Sequence, residues 1–113
     1  MHEYSIVQAL LDQVEAVAAQ NGGGTVHHLY VKLGDLAGVD CDLLQTAYET
    51  FRAGTVCDGV LLTIERVPAQ WICPRCASQL PRGAVLHCDR CGTPARLAAG
   101  DEIVLQRIEM EAP

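Results

Sequence analysis

From Ile6 onward the apolar residues return every three or four positions, and Ile6, Val7, Leu10, Leu11, Val14, Val17 and Ala18 fall on one stripe of an amphipathic helix. Ser5 and Gln8 read as a capping box, with helical structure starting as early as Glu3, and "NGGG" at 21–24 stops the helix. The period then shortens to two. In "TVHHLYVKLG" (25–34), Leu29, Val31 and Leu33 share one face and Val26, His28, Tyr30 and Lys32 the other, which predicts a strand with His27 and His28 on opposite faces. Helical spacing returns in "DCDLLQTAYETFRAG" (40–54) through Leu43, Leu44, Ala47, Tyr48 and Phe51, with Asp40 or Asp42 as N-cap. A second alternating run, "GVLLTIERVP" (59–68), predicts a strand closed by Pro68, and the β-branched "EIVLQRIEM" (102–110) predicts a third. No internal repeat is visible in the sequence. The expected class is α+β: two helices packed on a three-stranded sheet in the order helix, strand, helix, strand, with the last strand C-terminal to an inserted cysteine-rich module.

Charge marks the same insertion. The 113 residues carry a formal net charge of −6, which disfavours broad binding to nucleic acid or anionic membranes. Residues 69–99, however, hold Arg75, Arg82, Arg90 and Arg96 against Asp89 alone, while acidic residues dominate on either side. The expected division is therefore a body of residues 1–68 plus 101–113 and a separate module of residues 69–100. No apolar run approaches a membrane span and no signal-peptide pattern opens the chain, so the reading is cytoplasmic.

Within the module, "CPRC" (73–76) and "CDRC" (88–91) are two Cys-x-x-Cys turns separated by 11 residues. That spacing presents four thiolates tetrahedrally to zinc, and Cys73, Cys76, Cys88 and Cys91 are the expected ligands. So short a segment has few large side chains to bury, so the metal must supply stability. Four thiolates leave no open coordination position, which reads as a structural site. With no nucleophile and base pair at a suggestive spacing, the chain reads as a non-enzyme. Cys41 and Cys57 read as small hydrophobes, and His87 is left without a role.

"MHEYS" puts an imidazole and a carboxylate directly after the terminal amine. The Met1 amine, the His2 imidazole and the amides of His2 and Glu3 are contiguous donors whose short chelate rings suit a planar nitrogen-rich site for nickel(II) or copper(II). These amides stand at the start of a helix, where N–H groups have no internal partner. Glu3 can add an oxygen or orient the imidazole.

"MHEYSI" at the start, "GTVCDGVLLTIERVP" in the middle, the paired "CPRC" and "CDRCG", and "GDEIVLQRIEME" at the end together resemble the hydrogenase nickel-incorporation proteins of the HypA/HybF family. The resemblance covers essentially the whole chain. It implies a metallochaperone that binds nickel(II) as cargo at its N-terminus through His2 with Glu3 assisting, and holds structural zinc with the four cysteines. It also implies delivery to the large subunit of [NiFe] hydrogenase with a HypB-like GTPase accessory protein, urease maturation factors being a further class of partner left open. Asp40 falls where some family members carry an acidic residue near the nickel end; an N-cap role is the competing reading. The expected oligomeric state is a monomer or weak homodimer. The competing function is a zinc-ribbon nucleic-acid-binding or adaptor module with an acidic regulatory domain. Only the charge asymmetry favours it, because Trp71 is the one stacking candidate in residues 69–99.

Overall fold

The computed structural model describes residues 2–80 and 86–113, with His2 described by its backbone alone. The elements are α1 (His2–Gln20), β1 (Thr25–Gly34), α2 (Cys41–Phe51), β2 (Leu61–Val67), β3 (Gln70–Ile72), β4 (Arg96–Ala99) and β5 (Ile103–Glu111). Helix α1 starts at His2, earlier than the capping-box pattern at Ser5 suggested, and Gln8 instead reaches forward to the Asp12 carboxylate at 3.1 Å. Asp40 is the N-cap of α2, its carboxylate accepting from the amide of Leu43 at 3.0 Å.

Strands β2, β1 and β5 form one sheet in that order, with β1 central. His28 meets Thr63 and Lys32 meets Glu65, so β1 and β2 advance together and are parallel, α2 being the crossover that such a pair requires. Strand β5 runs the other way: the amide of Gly34 donates to the carbonyl of Glu102, while Tyr30, earlier on β1, meets Glu109, later on β5. The sheet is therefore mixed. The expected two-helix, three-stranded architecture is present, and the insertion adds a two-stranded antiparallel sheet of β3 and β4, with Trp71 opposite Leu97.

Contacts divide the chain into two compact units, one of residues 1–32, 39–65 and 104–113, the other of residues 33–38 and 66–103. In the first, Val7, Leu10, Leu11 and Val14 of α1, Leu44 and Tyr48 of α2, and Leu29 and Val31 of β1 are buried, as the periodic stripes required. Each such side chain contributes roughly 1.5–3 kcal/mol on leaving water. Tyr48 is fully buried, and its hydroxyl donates to the carbonyl of Val60 at 2.8 Å, an oxygen that also accepts from Arg52 Nη1 at 2.8 Å. Burial raises the Tyr48 phenol and the neighbouring Cys57 thiol above their ordinary pKa values.

The alternation of β1 departs from the sequence reading. Val26 is buried on the same side as Leu29, so the pattern slips by one residue between them. His27 meets Glu111 at 3.2 Å and His28 lies 4.0 Å from Glu109. Glu109 and Glu111 are two apart on β5 and therefore share a face, so both imidazoles lie on the outer face, as at a β-bulge. The expectation of opposite faces is thus corrected.

In the second unit, a Cβ on Gly34 would collide with the backbone of Gly100 and Asp101. Gly100 itself adopts φ +103°, and a side chain there would strike Ala69 and Pro68. Only glycine fits this close backbone crossing, which leads the chain past β4 into β5. No helix among the described residues is long and apolar enough to cross a membrane.

Candidate metal centre

Two turns with matching backbone pairing build the cysteine cluster. In the first, the amide of Cys73 donates to the carbonyl of Ser78 at 2.9 Å and that of Ala77 to Cys73 at 2.8 Å. In the second, Cys88 donates to Thr93 at 2.9 Å and Gly92 to Cys88 at 2.8 Å. The flanks match as well: Leu80 donates to Trp71 and Ala95 to Leu86, and the bridges Ile72–Gln79 and His87–Pro94 close the two hairpins. Every pair recurs at an offset of 15 residues, so the module is an internal repeat of one knuckle. "WICPRCASQL" and "LHCDRCGTPA" share only the cysteines and one arginine, which is why no repeat was visible in the sequence. The residue after the second cysteine needs a left-handed backbone. Gly92 takes φ +64° without strain, whereas Ala77 takes φ +61° with its Cβ in place.

The four sulfurs of Cys73, Cys76, Cys88 and Cys91 lie within 4.8 Å of one another, and Cys76 and Cys88 are 3.7 Å apart. A tetrahedron with zinc–sulfur bonds of about 2.3 Å has edges of about 3.8 Å, so the donor set fits zinc. One thiol of each knuckle is buried, Cys73 and Cys88, while Cys76 is exposed and Cys91 intermediate. The amide of Cys76 points at Cys73 Sγ from 3.5 Å, the direction that stabilises a thiolate. Hydrogen bonds from the Ser78 hydroxyl and amide, with a smaller one from Cys73, draw the Cys76 thiol down to about 6. The neighbouring Cys76 sulfur and then burial push Cys91 up to about 12. Without a cation the sulfurs cannot all be ionised together, and a divalent ion is what the cluster needs to be electrostatically satisfied. Ser78 was not singled out in the sequence, and its only signal there is a position two residues after Cys76.

Other candidate ligands do not join this cluster among the described residues. Cys57 is fully buried beside Tyr48, Cys41 is half-exposed at the first position of α2, and His87 is exposed in its hairpin. At the other candidate site, Met1 lies outside the described residues, as does the His2 side chain. Glu3 and Asp40 do come together: the amide of Asp40 donates to Glu3 Oε2 at 3.2 Å. Thus the first turn of α1 is tied to the cap of α2. Beside it, Tyr4 packs edge-on against Phe51, with ring centroids 4.3 Å apart.

The sequence matches, over residues 1–110, the family described as hydrogenase/urease nickel incorporation, metallochaperone, HypA. The hydrogenase maturation factor HypA of Wolinella succinogenes is 41% identical, with 99% of this chain and 97% of that protein covered. The HypA of Nitrosospira multiformis is 38% identical, with 97% of each chain covered. Among solved structures, the nickel metallochaperone HypA of Helicobacter pylori superimposes with a TM-score of 0.75 at 28% identity, covering 98% of each chain. Another HypA solution structure gives 0.82 at 29% identity, covering 100% of this chain and 98% of that one. With its α+β body, its four-cysteine knuckle pair and a match running almost end to end, the chain belongs to the HypA family of nickel-incorporation metallochaperones.

Proposed function

We propose that this protein binds nickel(II) at its amino terminus and delivers it to the large subunit of [NiFe] hydrogenase, working with a GTPase accessory protein in the cytoplasm. The observation that carries the reading is the tie between Glu3 and the amide of Asp40, which holds the first turn of α1 against the cap of α2. A chain end normally frays. Here the residue after His2 is anchored, so the Met1 amine, the His2 imidazole and the first amides can present a prepared donor set at an accessible position. Helix α1 starting at His2 supports this, because amides in a first turn have no intrahelical acceptor and their ionisation breaks no hydrogen bond.

In this reading residues 1–68 plus 101–113 handle nickel and residues 69–100 hold structural zinc through Cys73, Cys76, Cys88 and Cys91. Zinc closes the knuckle pair, contributing on the order of 10 kcal/mol to a segment with few buried side chains. Glu3 positions the turn, and Asp40 serves as the cap of α2, its carboxylate being a further candidate oxygen donor. Nickel and zinc sort by donor chemistry, nitrogen-rich against all-thiolate. Nickel titration of the zinc-loaded protein, beside His2→Ala, tests the reading: wild type takes up one equivalent and the variant none. Equal uptake by both sinks it.

A further inference from the structure

Helices α1 and α2, with the α2 caps, carry Glu3, Asp12, Glu15, Asp40, Asp42 and Glu49 against one basic residue, the C-cap Arg52, whose guanidinium is turned to the Val60 carbonyl and the Tyr48 ring. None of these carboxylates makes an ion pair among the described residues, whereas acidic side chains on the sheet do: Glu65 with Lys32, Glu109 with Arg107. The same two helices expose large apolar side chains. Leu43 is 55% exposed, Phe51 40% and Tyr4 37%. Leu43 and Phe51 stand eight residues apart along α2 with the buried Ala47 between them, and the Tyr4 ring closes on Phe51, so the exposed apolar side chains form a broken ridge. Exposed aromatic side chains set in unneutralised carboxylates are the features of an interface centre with a charged rim.

We infer that this ridge of Leu43, Phe51 and Tyr4 is a docking surface for a protein whose contact face is apolar at its centre and flanked by lysine or arginine. The sign of the charge decides between occupants. A second copy bound through this face sets the same carboxylates against themselves, since a twofold interface pairs a patch with itself. Anionic lipid and nucleic acid are repelled for the same reason. A cationic protein surface neutralises the rim and covers the rings. Because Tyr4 and Glu3 belong to the first turn of α1, such a partner sits beside the chain end proposed to carry nickel. Only that consequence rests on the nickel reading; the surface itself does not.

The probe is an amphipathic helical peptide of about 18 leucine and lysine residues, five turns in length, added to isotope-labelled zinc-loaded full-length protein. The amide signals that shift should be those of residues 3–5 and 40–52, and binding should weaken as salt rises beyond about 0.15 M. A same-composition scrambled peptide and a leucine–glutamate peptide should leave the spectrum unchanged. Leu43→Ser, at a site already more than half exposed, should weaken binding about tenfold with the fold intact. Asp42→Asn with Glu49→Gln should weaken it and flatten the salt dependence. His2→Ala should bind the peptide as wild type does, so loss of nickel uptake and loss of docking register separately. The inference is overturned by shifts centred on the sheet or the knuckles, or by no saturation at about 1 mM peptide. It is overturned equally by equal binding of the scrambled peptide, or by a self-association that Leu43→Ser abolishes.

Discussion

The amide of Asp40 donates to the carboxylate of Glu3 at 3.2 Å while the Asp40 side chain caps α2 through Leu43. One residue thus serves two helices, with backbone and side chain doing different work. Asp40→Ala should cost about 1 kcal/mol, the usual worth of an N-cap, whereas Asp40→Asn retains a capping oxygen and should cost far less. Thermal melts read the cap. Nickel titration of Asp40→Asn reads any contribution of the carboxylate as a donor: lowered affinity at unchanged melting temperature would mark Asp40 as a ligand.

Nickel binding should be steeply pH dependent. At the proposed site the metal would need a neutral His2 imidazole and an unprotonated Met1 amine, groups whose reference pKa values are about 6.5 and about 7.7–8.0. Protons therefore compete increasingly as pH falls, and affinity should drop from pH 8 to 6 by more than one proton's worth, about tenfold per unit for each proton displaced. One residue inserted ahead of His2 should impair binding, because it moves the amine out of the chelate. Calorimetric titration at several pH values measures both effects.

Zinc should be bound through four sulfurs at about 2.3 Å, which X-ray absorption at the zinc edge counts directly. Chelation, or Cys73→Ser, should remove amide protection from residues 71–99 while the α/β core keeps its own, because that core is closed by apolar burial instead of by a metal. Two or fewer sulfurs in the first coordination sphere would overturn the assignment.

The knuckle repeat makes a paired backbone prediction. Ala77→Gly relieves a left-handed alanine and should stabilise the module by about 0.5–1 kcal/mol. Gly92→Ala should destabilise it by about 1–2 kcal/mol from φ alone, since nothing lies within 4 Å of the added Cβ. Chelator-concentration midpoints of zinc release at fixed temperature compare the two.

Tyr48 and Cys57 should make the fold sensitive to alkali. Burial raises both pKa values in the folded state, so at high pH the unfolded chain releases protons that the native chain keeps. Stability is full below the unfolded values, about 8.5 for cysteine and about 10 for tyrosine, and falls as pH rises beyond them. Tyr48→Phe should cost about 1 kcal/mol at neutral pH, because Val60 retains its bond from Arg52, and it should flatten the alkaline decline. Urea midpoints from pH 7 to 11 check this.

The periods of the apolar residues alone determined the two helices and the three strands of the main sheet, because one buried face per element is a local requirement. The Cys-x-x-Cys spacing likewise announced the sulfur cluster, since each knuckle is closed by hydrogen bonds spanning only four to nine residues. Other features depend on chain segments far apart in sequence and had no local signal. The slip in β1 that puts His27 and His28 on one face is visible only against Glu109 and Glu111 on β5. The mixed strand directions follow from the return of β5 after the insertion. The repeat of the knuckles lies in backbone pairing that the side chains do not preserve, and the meeting of Glu3 with Asp40 spans 37 residues. Packing decided these, because a contact between distant segments has no period for a sequence to display.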